Sequence, residues 1–168
     1  DFSGRDLILK APKTPQDSIY IKEALRNGIP VTMSTALFAR FAREAGATLV
    51  GITGTRGKTT TTEMIAHILR VAGKQVLLGG NIRGVSTLAL LPEVTKETLA
   101  VLELDSWQLQ GFGAERLSPD VAVFTTFYPD HMDYYQGDMQ KYLADKAEIF
   151  LHQRSGDTLV LGQAAEEV

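Results

Sequence analysis

The stretch Leu49-Val50-Gly51-Ile52-Thr53-Gly54-Thr55-Arg56-Gly57-Lys58-Thr59-Thr60 decides the fold. Its apolar run reads as a strand, its glycines as a turn, and Lys58 with the threonines after it as the start of a helix. These are the parts of a phosphate cradle. Glycines let backbone N–H groups close on phosphate oxygens, and a helix N-terminus adds positive potential. In such a cradle Lys58 neutralises the β- and γ-phosphates of a nucleotide, and the Thr59 hydroxyl holds Mg²⁺. The strict P-loop pattern has a glycine five positions before Gly57; this chain has Ile52 there, with glycines at 51 and 54. The loop is therefore a variant, and an ordinary glycine-rich strand-to-helix turn is the competing reading.

Working outward, Met64, Ile65, Ile68, Leu69 and Ala72 recur at helical spacing, with Gly73 as the stop, and Gln75–Leu78 reads as the next strand. Strand, helix and strand within ~30 residues predict a right-handed parallel unit. Upstream, Asp6–Leu9 is a short strand, 11–15 a turn, Ser18–Asn27 a helix and Ile29–Thr32 a second short strand. A helix over Ser34–Glu44 puts Leu37, Phe38 and Phe41 on one face. Downstream, further strands are predicted over 99–103, 121–125 and 158–161, with a helix over 139–150. The expected class is α/β: a mostly parallel P-loop-type sheet covered by helices, preceded by part of a smaller Rossmann-like domain. Residues 1–46 are expected to form a separate, incomplete lobe, and the main unit is expected to open at 47.

Composition narrows the function. The chain has 168 residues, 44% hydrophobic and 22% charged, as in an ordinary globular domain. Its net charge of −3 provides no overall basic field for nucleic acid. With no cysteine there is no disulfide framework and no thiolate chemistry, which fits a reducing compartment. No apolar run approaches the ~20 residues of a membrane span, so no membrane insertion is expected. The chain opens at Asp1 without methionine, and it is expected to be a piece of a longer protein.

Three more residues carry candidate chemistry. Glu103 ends the buried-strand pattern Leu99-Ala100-Val101-Leu102, where α/β proteins bind ligands. A carboxylate there reaches Mg²⁺ directly or through water, or is a solvated strand end. His131 follows the Val121–Phe124 strand between Asp130 and Asp133. It is a metal ligand, a phosphate contact or a structural histidine. Lys146 lies on the 139–150 helix among Leu143, Ala147, Ile149 and Phe150; by composition alone it is a solvent-facing lysine.

Taken in order, Gly54–Thr60, Gly80-Asn81-Ile82, Glu103-Leu104-Asp105-Ser106-Trp107-Gln108-Leu109, Asp130-His131-Met132-Asp133 and Lys146-Ala147-Glu148-Ile149-Phe150 resemble the Mur ligases of peptidoglycan synthesis. The resemblance spans nearly the whole chain. It implies that residues 1–46 end an N-terminal UDP-substrate-binding domain and that 47–168 begin the central ATP-binding domain. It implies an ATP-dependent amide-bond ligase working in the bacterial cytoplasm on a nucleotide-sugar peptide and an amino acid. The segment beginning at Glu103 favours the member that joins D-glutamate to UDP-N-acetylmuramoyl-L-alanine. The reaction implied activates a carboxylate as an acyl phosphate, which an amine then attacks.

The resemblance also implies roles. Gly54, Thr55, Arg56, Gly57, Lys58, Thr59 and Thr60 would hold ATP. Thr59, Glu103, His131 and a carbamylated Lys146 would serve Mg²⁺, and Asn81 and Gln108 would contact the muramoyl-peptide. Carbamylation needs a neutral amine, so Lys146 must be buried enough for its pKa to fall. The chain departs from the family's usual residues at Arg56 and Thr126 (commonly asparagine), Asp105 (serine), Trp107 (phenylalanine) and Tyr128 (a small residue). Asp105 places an anion near a site for anionic phosphates, and it either alters substrate choice or adds a metal ligand. Another ligase of the same superfamily, such as a folylpolyglutamate synthase-like enzyme, and a non-catalytic nucleotide-binding module are the other readings.

Overall fold

The computed structural model describes residues 2, 4–15 and 17–165. Two parallel sheets are present among them. The small one pairs β1 (Ile8–Leu9) with β2 (Val31–Thr32), joined by α1 (Ile19–Arg26). The large one has five strands: β3 (Thr48–Thr53), β4 (Val76–Gly80), β5 (Leu99–Glu103), β6 (Val121–Phe124) and β7 (Thr158–Leu161). Its order is β4-β5-β3-β6-β7, and every neighbouring pair is parallel. From β3 the chain steps over one position to β4, returns to place β5 between them, and then crosses to the other side as β6. That reversal opens a crevice beyond the carboxyl ends of the central strands.

The strands' alternation explains the layers. Leu49, Ala100, Leu102, Ala122 and Phe124 face one side of the sheet. There they meet Met33, Phe38, Ala39 and Ala42 of the segment containing α2 (Ser34–Glu44), Leu109 and Phe112 of α4 (Ser106–Ala114), and Ile149 just beyond α5 (Met139–Ala147). Val50, Ile52 and Val101 face the other side, under Ala66 of α3 (Lys58–Val71). Parallel sheets need cover on both faces, and the sequence supplies both.

Several expectations need correction. On α3 the inward face is Thr62, Ile65, Ala66 and Leu69, whereas Met64 and Ile68 of the periodic set point outward, 59% and 60% exposed. Phe41 is also turned out, with the Arg40 guanidinium over its ring. The helix predicted over 139–150 ends at Ala147. Three segments carried no clear prediction: α4, the 3₁₀ segment Thr87–Glu93, whose Leu88, Leu90 and Leu91 pack on the core, and the 3₁₀ turn Gln163–Ala165.

Helix α2 is part of the large core, so the boundary drawn at residue 46 is not a break in packing. A polar clasp holds it there. Asp120 accepts from the Leu49 backbone N–H at 2.7 Å and from Arg43 Nη2 at 3.1 Å. Asp120→Ala leaves the Leu49 N–H and the guanidinium without that acceptor, and is expected to cost about 2 kcal/mol of stability. Urea unfolding followed by circular dichroism checks this; a midpoint equal to the parent's would show that the clasp contributes nothing.

Candidate functional site

The Gly54–Gly57 loop follows β3 and delivers Lys58 as the first residue of α3. Gly54 has φ of 139°, and a Cβ there would collide with the Thr125 hydroxyl and the Thr126 backbone. Gly57 has φ of 84°, a left-handed conformation that a side chain disfavours. Gly51 serves packing instead: inside β3, its missing side chain makes room for Pro119 and Leu104. The variant spacing thus leaves two loop glycines, each with a conformational reason.

The loop is tied to the end of β6. Thr55 N–H donates to Thr126 O at 2.8 Å, and Arg56 N–H donates to Thr126 Oγ1 at 2.9 Å. Thr125 Oγ1 donates to Arg56 O at 2.7 Å. Thr55 is buried, and its hydroxyl bonds the Tyr128 backbone in both directions at 3.0 Å. Thr55 and Arg56 therefore hold the loop's shape, while the side chains of Thr59 and Thr60 lie exposed at the head of α3. Lys58 Nζ donates to Thr55 O at 3.1 Å, so its ammonium lies back over the loop it follows.

Lys146 is the sharpest finding. It is 1% exposed, and Nζ donates to Gly54 O at 2.8 Å, inside the loop's own hydrogen-bond frame. Thr53 Oγ1 lies 3.4 Å away, and the Tyr142 ring lies under the ammonium at 4.9 Å. Burial, seconded by the Lys58 charge, lowers its pKa to about 7 against the opposing pull of Asp105, Asp130 and Asp145. The solvent-facing alternative is therefore excluded, and the amine is available in neutral form near neutral pH.

Glu103 sits at the carboxyl end of β5, opposite Ile52 in β3 and Gly80 in β4. It is 3% exposed, which excludes the solvated strand-end reading. Oε1 accepts from Asn81 Nδ2 at 3.3 Å, and Oε2 is buried without a hydrogen-bond partner among the described residues. A buried carboxylate oxygen in that state calls for a cation or a proton donor. Asn81 is exposed and is held by its own N–H, which donates to Glu103 O at 2.7 Å.

His131 is partly exposed in a left-handed conformation, φ 53°, which few non-glycine residues adopt. Its N–H donates to Asp130 Oδ1 at 2.9 Å, and its ring lies 4.4 Å from Trp107 and 6.4 Å from Tyr142. Among the described residues no three His, Cys, Asp or Glu side chains are placed to hold a metal ion. Glu103 and His131 thus form no ready cation cage, and a cation at Glu103 would need oxygens from a bound phosphate. The chemistry of the donors fits that: an unpartnered carboxylate oxygen, an exposed threonine hydroxyl and a lysine cradle for anions.

Two of the expected site residues also have structural partners. Asp105 is the N-cap of α4, accepting from Gln108 N–H at 2.7 Å, while Gln108 Oε1 accepts from Asp105 N–H at 3.2 Å. The sequence Asp-x-x-Gln before an apolar run is a capping box. It gives Asp105 a structural task at the head of α4, and it could have been read from the spacing. The other end of Gln108 donates to Thr35 Oγ1 at 3.2 Å, so this buried amide joins α4 to α2. Missed altogether were Tyr142, four residues before Lys146 on one helix face, and Asp145. Burial raises the Asp145 pKa despite bonds from Gln110 at 2.7 Å and Tyr135 at 2.8 Å. The signal for Tyr142 was its helical spacing from the lysine.

The family model for the Mur ligase middle domain matches residues 52–167. A UDP-N-acetylmuramoylalanine–D-glutamate ligase from Roseiflexus sp. is 38% identical over 161 residues, covering 96% of this chain and 34% of that protein. The chain thus spans about a third of the length of this relative. Among solved structures, a UDP-N-acetylmuramate:L-alanyl-gamma-D-glutamyl-meso-diaminopimelate ligase from Neisseria meningitides superposes with a TM-score of 0.63 at 20% identity, over 96% of this chain and 53% of that one. The MurF ligase of Thermotoga maritima in complex with ADP gives 0.56 at 24%, over 92% and 42%. Both are likenesses of fold. Over most of its length the sequence matches the middle-domain model, and so the chain belongs to the Mur ligase family.

Proposed function

We propose that this chain is part of an ATP-dependent ligase of peptidoglycan precursor synthesis, joining D-glutamate to UDP-N-acetylmuramoyl-L-alanine in the bacterial cytoplasm. The observation that carries the reading is Lys146: a buried amine of lowered pKa bonded to the phosphate loop, with the unpartnered Glu103 carboxylate also at the strand ends. Residues 1–46 are assigned to the end of a UDP-substrate-binding domain and 47–168 to the start of the ATP-binding domain.

Each residue then has a task. Gly54–Thr60 hold the phosphates, with Lys58 offsetting their charge. Thr59, Glu103, His131 and a carbamylated Lys146 would hold Mg²⁺, with oxygens of the bound phosphates completing its shell. For that, the neutral Lys146 amine adds to CO₂, forming an N–C bond and releasing a proton, and the ammonium is replaced by an anionic carbamate. Bound MgATP would supply the phosphoryl group that converts the substrate carboxylate into an acyl phosphate. The amino-acid amine attacks that carbonyl, and phosphate leaves as the amide forms. Asn81 contacts the muramoyl-peptide. Gln108 reaches it only by releasing its bond to Thr35 or to the α4 cap.

The test is phosphate release by the full-length protein. It should require ATP, the UDP-linked carboxylate and D-glutamate together. MgATP binding with no phosphate release under any of these conditions supports the non-catalytic nucleotide-binding module instead. Release with a pteroyl substrate, and none with the UDP-sugar, moves the chain to the folylpolyglutamate synthase-like reading.

A further inference from the structure

A cleft of about 780 Å³ is lined from both lobes, by Gln110 of α4, Lys141 and Asp145 of α5, Tyr134 and Tyr135 of the loop before α5, and Asp17 of the segment before α1. That volume is in the ~300–1,000 Å³ range of small-molecule sites. Its aromatic wall is preformed. The Tyr134 and Tyr135 N–H groups both donate to His131 O, at 3.0 and 3.1 Å, and Asp138 N–H donates to Tyr135 O at 2.9 Å.

The lining leaves acceptors open. Gln110 Nε2 donates to Asp145 Oδ2 at 2.7 Å and to the Tyr134 hydroxyl at 3.3 Å. The opposite amide orientation would set oxygen against the carboxylate. Gln110 Oε1 is therefore the end left over, buried without a hydrogen-bond partner among the described residues. The Tyr135 hydroxyl donates to the same Asp145 Oδ2 at 2.8 Å. Both bonds thus fall on one oxygen, and Asp145 Oδ1 accepts none among the described residues. Lys141 does not supply the missing donor: its ammonium is 3.7 Å from Asp138. Asp17, which is exposed, adds a second carboxylate to the lining. A buried acceptor without a donor costs free energy that a ligand's N–H would recover.

We propose that this cleft binds a small planar cation, an amidinium or guanidinium carried on an apolar body. The forked N–H groups of such a cation would meet Gln110 Oε1 and Asp145 Oδ1, two open acceptors on side chains already bonded to each other. The tyrosine rings offer apolar surface to the body. The cleft is distinct from the phosphate loop and from Glu103, yet it touches the candidate site through one ring. Tyr134 stands edge-on to Trp107 at 5.5 Å, and Trp107 lies 4.4 Å from His131. The site stands whether or not the chain is part of a ligase.

The test is calorimetric binding to the full-length protein of probes of one shape: benzamidine, benzamide and benzoate. Benzamidine should bind with a Kd of about 1 mM or tighter. Benzamide, which lacks the charge, should bind about tenfold more weakly, and benzoate should not bind. Asp145→Asn keeps an oxygen for Gln110 and Tyr135 and replaces Oδ1 by a donor, so it should weaken benzamidine about tenfold. Saturating UDP or MgATP should leave benzamidine affinity unchanged. Absence of benzamidine binding overturns the proposal, as does equal binding of benzamide or benzoate. So does parent-like affinity in an Asp145→Asn variant whose thermal melt matches the parent's. If that variant fails to fold, Gln110→Met, which removes the open amide oxygen, takes its place with the same expected loss. Displacement of benzamidine by UDP also overturns the proposal, because the cleft would then belong to the nucleotide-linked substrate.

Discussion

Lys58→Ala should reduce MgATP affinity by about a hundredfold or more, on the order of 3 kcal/mol, because a charge aimed at phosphate oxygens is lost. The fold should survive. Lys58 opens α3 with an ammonium bonded only to the preceding loop, and alanine is a better helix former. Calorimetry on the full-length protein with matched thermal melts measures both, and parent-like affinity would refute the cradle assignment. A second effect follows from the same charge. Lys58 helps to lower the Lys146 pKa, so its removal should raise that pKa and leave less neutral amine near pH 7. Thr59→Ala, by contrast, should chiefly weaken the Mg²⁺ dependence of binding, since it removes a neutral oxygen.

Lys146→Met should separate stability from activity. In the unfolded chain the amine is protonated up to pH 10.5, whereas burial in the folded chain lowers that value to about 7. Below pH 7 both states carry the charge, and the native fold bears its full desolvation cost. Between pH 7 and 10.5 the unfolded chain holds a proton that the native chain has released, so stability rises with pH across that window. Methionine removes the charge and keeps the bulk. Below pH 7 it should stabilise the fold by on the order of 3 kcal/mol, after allowing for the lost hydrogen bond to Gly54. The rise with pH should also flatten. Urea unfolding at a series of pH values tests this; a variant less stable than the parent below pH 7 would contradict the burial argument. Activity of the full-length protein should nevertheless be lost. In Lys146→Ala, added short carboxylates should restore part of it by replacing the carbamate oxygens.

Much of this was legible in the order of residues, because local chemistry leaves local traces. The five strands of the large sheet follow from short apolar runs between turn residues, and all five lie within a residue or two of their predicted positions. The phosphate loop follows from glycine, lysine and threonine at fixed offsets, since backbone conformation and helix polarity act over a few residues. The capping box of Asp105 and Gln108 is equally local, an Asp-x-x-Gln spacing ahead of an apolar run.

Tertiary structure alone decided the rest. Lys146 lies 92 residues from Gly54 in sequence, and nothing near it tells a buried amine from a solvated one. Its fate depends on α5 packing against the end of β3. The same holds for Glu103, left with a lone buried oxygen by its neighbouring strands, and for α2, drawn into the large core by Asp120. Lys13 and Trp107 meet only because a small lobe folds over the head of α4. Sequence periodicity reports which face of an element is apolar. It does not report what that face meets, and desolvation, which set the charge state of Lys146, depends on what it meets.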